Sequence, residues 1–202
     1  MKTKNQVLMQ MALGSLKGKW GIAIGAVVVY FLILGAIQGI TRLSPFAGII
    51  SLIIAGPMAL GIIIFFINIS RNQNAKLEQI FQGFNRFGTS LGAYLLVLLF
   101  TFLWTLLLII PGIIASLSYS MTFLILADDN SIGAMEAIDK SKKMMYGYKW
   151  KFFCLGLRFL GWALLCILTL GIGFLWLTPY MIVSMVKFYE DIKEDQIVTE
   201  TI

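Results

Sequence analysis

The chain alternates between long apolar runs and short polar breaks. Gly21 to Thr41 and Pro45 to Ser70 are the first such runs. Each is long enough for a hydrocarbon core of about 30 Å, which takes roughly 20 residues at 1.5 Å rise per residue. Reading on, six spans are predicted at 21–41, 46–70, 90–110, 112–127, 151–170 and 174–190. The third and fourth form one apolar stretch from Leu91 to Ala127, too long for a single crossing. Pro111-Gly112 interrupts it, and proline breaks a helix interior but suits a first turn.

Similar punctuation recurs elsewhere. Ser44-Pro45 joins the first two spans, and Gly171-Ile172-Gly173 separates the last two, with Thr178-Pro179 just inside the sixth. Pro57 falls near the middle of the second span, where it is expected to kink the helix or divide it into two half-helices. Pro57, Pro111 and Pro179 are therefore the predicted helix breaks. The fourth span is short, so a re-entrant segment is the alternative to a full crossing.

Before each outgoing span stands a short segment with a glycine beside basic or aromatic residues: SLKGKW at 15–20, NRFGTS at 85–90 and MMYGYKW at 144–150. The expectation is three helical hairpins, each introduced by an interfacial helix, at about 4–17, 74–87 and 131–146. Gly18, Gly88 and Gly147 would occupy equivalent places, and duplication is an open alternative to chance likeness. In the second segment Leu77, Ile80, Phe81, Phe84 and Phe87 recur at α-helical spacing, with Lys76, Gln79, Gln82 and Arg86 elsewhere around the helix. Such a helix is expected to lie flat at headgroup level with its rings turned inward, and ordinary packing against the ends of the bundle explains it at least as well as a lipid-sensing role.

The charged stretch 126–150 is the candidate that most invites an active-site reading. Asn130 or Ser131 can cap a helix, with Asp128 and Asp129 at its positive end. Glu136, Asp139, Lys140 and Lys143 then share a face, with acid-before-base pairs Glu136–Lys140 and Asp139–Lys143, while Met135, Ile138, Met144 and Met145 turn away. No motif brings two of the acids to a common substrate. An interfacial helix with one solvated face is the simpler reading.

Composition agrees. Of 202 residues 59% are hydrophobic and 13% charged, and mean hydropathy is +0.87. A soluble fold could not hide so much apolar surface. The fold class expected is all-α, a polytopic membrane helical bundle of about six transmembrane helices in a single domain over 1–202. Some twenty residues with four lysines precede the first span, so it is expected to be retained rather than cleaved. Cys154 and Cys166, about 18 Å apart along one helix, cannot bridge. With no histidine in the chain, the commonest metal ligand and general base is missing. No catalytic residue, metal site or cofactor is expected.

The net charge of +6 is explained by topology rather than by nucleic acid. With both termini inside, the outer turns hold only Arg42, so both termini are expected to be cytoplasmic. Within the spans, Arg158 is the one charge well inside, about two turns beyond Trp150. Either it faces a partner or wet cavity, or it snorkels back to the interface. Ser116, Tyr119 and Ser120 share a face on the fourth span; with Gln38, Asn68 and Arg158 they either line a polar pathway or permit close packing.

The stretches GPMALG at 56–61, IFQGF at 80–84, LLLIIPGIIASLSYSM at 106–121, EAIDKSKKMMYGYKW at 136–150 and GIGFLWLTPYMIVSMVKFYEDI at 171–192 together resemble a bacterial membrane family, domain of unknown function 975. The resemblance implies a small polytopic protein of a bacterial cytoplasmic membrane and brings no activity, cofactor or catalytic residue. The leading expectation is a non-enzymatic accessory or structural subunit whose partners are membrane lipid, another membrane protein or a second copy of itself. The alternative is a small transporter or channel built on the polar pathway near Arg158.

Overall fold

A computed structural model describes residues 3–41 and 47–200. Among them every regular element is a helix: α1 (Asn5–Leu16), α2 (Trp20–Thr41), α3 (Ala47–Ser70), a 3-10 helix (Leu77–Arg86), α4 (Phe87–Leu107), α5 (Ile109–Tyr119), α6 (Thr122–Asp128), α7 (Ala134–Met144), α8 (Lys149–Leu168) and α9 (Phe174–Glu200). Arg42, the predicted Ser44-Pro45 turn and position 46 lie outside the described residues. Five helical stretches are long and apolar enough to cross a membrane: Trp20–Gly39, Gly48–Ser70, Leu77–Leu107, Ile109–Asp128 and Lys149–Leu168. The protein is a multi-pass membrane helical bundle. Together with α9, apolar as far as Val186, these stretches are roughly consistent with six crossings.

The order of a short leading helix, an outgoing helix and a returning helix repeats three times. Gly18 and Gly147 adopt φ of 78° and 82° between leading and outgoing helices, a left-handed conformation that glycine enters without a side-chain clash. Gly88 differs, because the 3-10 helix runs straight into α4 and Gly88 is helical. The middle unit therefore lacks the sharp turn of the other two.

Several predicted breaks are corrected. Pro57 and Pro179 lie inside continuous helices, α3 and α9. Each forfeits one backbone hydrogen bond, a loss that neighbouring helices can hold in place within a membrane bundle. The third and fourth spans divide at Leu108, which is extended (φ −161°, ψ 147°), leaving Pro111 in the first turn of α5 where its missing N–H is not needed. The fourth span is itself interrupted between Tyr119 and Thr122. There the Ser141 hydroxyl of α7 donates to Ser118 O (2.8 Å) and accepts from Met121 N–H (3.2 Å), satisfying backbone groups that the interruption frees. The helix that holds the predicted sixth span, α9, continues past 190 to Glu200 through charged residues.

Burial is lopsided. Buried apolar side chains occupy the first part of outgoing helices (Ala23, Ala26, Val27; Ala93; Leu155, Phe159) and the second part of returning ones (Met58 to Ile69; Met121 to Leu126; Val183 to Ile192). The ends of the second and third hairpins are bare, with Leu106 to Ile110 exposed and Leu168 and Leu170 at 80% and 94%. One end of the bundle is thus a packed core and the other is three prongs.

The tightest contact in that core lies where the 3-10 helix crosses α3. A methyl group added at Gly61 would stand 1.7 Å from the carbonyl oxygen of Ile80, one at Gly83 would stand 1.9 Å from that of Pro57, and one at Gly56 would stand 2.7 Å from that of Ser90. Backbones touch there, as small residues permit in membrane interfaces. The contact agrees with packing of the 74–87 segment against the bundle and corrects its helix type, which is 3-10 and not α. With three residues per turn instead of 3.6, Leu77, Ile80, Gly83 and Arg86 form one row. Ile80 and Gly83 face α3 and are buried, while Phe81, Phe84 and Phe87 are exposed.

Candidate functional site

Charged residues gather at the packed end. Arg71, just past α3, places Nη1 2.7 Å from Asp128 Oδ1 and Nε 3.1 Å from Glu190 Oε1. Lys193 Nζ and the Tyr189 hydroxyl also reach Asp128 Oδ2, the latter at 3.1 Å. Lys187 Nζ pairs with Glu190 Oε2 at 3.0 Å and donates to Ser70 O at 2.9 Å. The ends of α3 and α6 are thereby tied to the polar half of α9.

Asp128 thus belongs to the end of α6 and not, as the sequence suggests, to the start of the next helix. Asn130 and Ser131 do not cap α7 either. Its N-cap is Gly133, without a side-chain hydrogen bond. Instead Asp129 accepts from the Ser131 N–H (2.9 Å) and hydroxyl (2.6 Å), and these bonds hold its carboxyl below the usual range. The charged face of α7 is exposed as predicted, but neither Glu136–Lys140 nor Asp139–Lys143 forms an ion pair. Solvated pairs of that kind gain only about 0.3–0.5 kcal/mol, too little to order long side chains. Ile138, Met144 and Met145 are buried as predicted, whereas Met135 is 52% exposed.

Arg86 has a role that helical periodicity hides. Its Nη1 donates to Leu126 O (2.9 Å) and Asp129 O (3.1 Å), and Nη2 to Ile132 O (2.5 Å). The guanidinium fork therefore closes the last turn of α6 and the loop into α7. A basic residue on the solvent side of a predicted interfacial helix gives no hint of this, and only the three-residue repeat of the 3-10 helix aims it there.

α1 lies across the same end. Asn5 Nδ2 donates to Lys151 O at 2.9 Å, and near the other end Ser15 Oγ donates to Ser70 O at 3.2 Å. Lys151 pairs with Asp191 at 3.0 Å. The Tyr148 hydroxyl donates to Asp195, and that hydrogen bond, followed by burial, pushes the phenol up to about 12. The contact is therefore a neutral donor to a carboxylate at ordinary pH.

The predicted polar-pathway residues are distributed over several helices. Ser116 and Ser120 on α5 and its following turn donate to Ile113 O (2.9 Å) and Leu117 O (2.8 Å), carbonyls of their own helix. Tyr119 is buried beside Phe100, ring centroids 6.1 Å apart. Asn68 is half-buried on α3, and Gln38 is exposed on α2. Arg158 is exposed on α8 and opens on a groove of about 550 Å³ with Gln6, Met9 and Gln10 of α1, Trp162 of α8 and Tyr180 of α9. Among the described residues no group of three or more Cys, Asp or Glu forms a metal-binding cluster. Cys154 and Cys166 are free thiols.

A membrane bundle with a charged, hydrogen-bonded end and bare hairpin ends among the described residues is the class of protein that these observations define. The family model described as Protein of unknown function (DUF975) matches residues 1–114 and 105–196, and the chain belongs to that family. No curated protein and no solved structure matches the chain.

Proposed function

We propose that the protein is a non-enzymatic accessory or structural subunit of a bacterial cytoplasmic membrane, which binds lipid or a membrane protein partner through the outer halves of its hairpins. The observation that carries this reading is the lopsided burial: the prongs offer Leu106 to Ile110 on one, and Leu164, Leu165, Ile167, Leu168, Leu170 and Ile172 on another, with little of their own chain against them. Lipid tails or the helices of another protein fit such a surface, since both supply the dispersion contacts that the prongs lack among themselves. The charged end carries most of the lysines and arginines, which supports placing both termini in the cytoplasm.

A photo-crosslinking residue at Leu106 or Leu170 tests the reading in cells. The expected outcome is a discrete protein adduct, or a lipid adduct, at one or both tips. Featureless labelling at both, with a lone monomer free of ordered lipid in mild detergent, would refute it. The transport alternative draws on Arg158. Solute movement into proteoliposomes that Arg158→Leu abolishes would favour it over the accessory role.

A further inference from the structure

Arg158 is a permanent cation halfway along α8, whose neighbours Leu157, Leu160, Leu164 and Leu165 are all exposed. It makes no hydrogen bond or ion pair with any described residue, whereas Arg71 and Arg86 are each held by two or three acceptors. An arginine on the lipid-facing side is costly unless an anion or water meets it. Its height decides which anion is at hand. Arg158 is seven residues beyond Lys151, about 10 Å along the helix, and the crosswise helix α1 reaches the same groove with Gln6 and Gln10. The Cα of Arg158 therefore lies within the hydrocarbon, and its long side chain reaches back toward the headgroups of the adjoining leaflet.

We infer that this groove is a binding site for the phosphate headgroup of a glycerophospholipid from the leaflet at the charged end. It rests on the reading of the protein as a lipid- or partner-binding membrane subunit and gives that reading a definite ligand. A guanidinium offers a planar fork of donors to phosphodiester oxygens. Gln6 and Gln10, one helical turn apart on α1, add amide donors suited to ester carbonyls, and Trp162 and Tyr180 line the groove beside them. Tyr180 is pre-set, its ring packed edge-to-face on Phe159 with centroids 5.1 Å apart at 83°. Leu165, seven residues beyond Arg158 and on the same face of α8, is exposed, so an acyl chain has an apolar surface to follow. A carboxylate on a partner helix would answer the charge but would not use the two amides and the open apolar exit.

Thermal unfolding of the delipidated full chain in detergent, titrated with didecanoyl phosphatidylglycerol, dicapryl glycerol or inorganic phosphate, tests the site. Phosphatidylglycerol should raise the unfolding temperature saturably, and the other two should not. Arg158→Leu should unfold at the unliganded temperature of the native chain, because no described residue is bonded to Arg158, yet bind the phospholipid at least tenfold more weakly. Arg158→Lys should fall between, and Gln10→Leu should weaken binding about threefold. Equal phospholipid affinity in native protein and Arg158→Leu overturns the site, as does an equal response to dicapryl glycerol. So does a co-purifying protein, instead of lipid, that Arg158→Leu releases. Tip crosslinks persisting while lipid binding fails would remove this site alone, whereas lipid binding with no tip adducts would remove the hairpin-binding reading.

Discussion

α3 and α8 are apolar helices of 24 and 20 residues, and hydropathy treats both as spans. Half of the most apolar window of α3 is buried, against 11% of that in α8. Both carry internal glycines, so glycine content does not separate them. The difference lies in what stands opposite. Gly56 and Gly61 face the backbone of the 3-10 helix and the start of α4, whereas a methyl group added at Gly156 or Gly161 would meet nothing within 4 Å. A glycine in a membrane helix marks a close crossing only when another backbone has come to it.

Four substitutions probe that contrast. Gly61→Ala should have the largest effect, because its methyl group would overlap the Ile80 carbonyl and the two backbones must separate. A loss of about 3–5 kcal/mol is expected, at or beyond the upper end of overpacking costs, measurable as a lower unfolding midpoint in a detergent denaturation series. An unchanged midpoint would mean that the crossing is not as close as described. Arg86→Leu should come next, leaving the carbonyls of Leu126, Asp129 and Ile132 without their donor. The expected cost is about 2–4 kcal/mol, with hydrogen exchange rising first across 122–132.

Asp128→Asn should be milder, about 1–3 kcal/mol, since Arg71 and Lys193 are partly solvated and Arg71 keeps Glu190. Repeating that measurement in high salt should narrow the gap to the native chain, because the network is electrostatic. On the open side, Gly156→Ala should leave stability unchanged or raise it by about 0.5–1 kcal/mol, the ordinary helix-propensity gain. A marked loss there would show that α8 is covered as closely as α3.

Repeated crossing, the hairpin order and the charged end were legible from the residues, and the span number roughly so, because hydrophobic run length answers to bilayer thickness, whatever the helices later touch. The left-handed turns at Gly18 and Gly147 fall where short polar segments meet apolar runs, so they were legible too. Arg158 was visible as an oddity for the same reason, a charge inside an apolar run. Its open groove was not, because Gln6, Gln10 and Tyr180 come from distant segments.

The amino-acid sequence by itself determined a multi-pass helical bundle in three hairpins, since period and run length are local properties. Tertiary structure decided the rest. It selected a 3-10 repeat at Leu77–Arg86, where an α-helical reading pairs Ile80 with three phenylalanines, because contact with Gly61 rewards the row that holds Ile80 and Gly83. It moved Asp128 from a helix start to a helix end by bringing Arg71 and Lys193 to it across 57 and 65 residues of chain. Such partners are set by where helices cross, and no spacing along one segment encodes that.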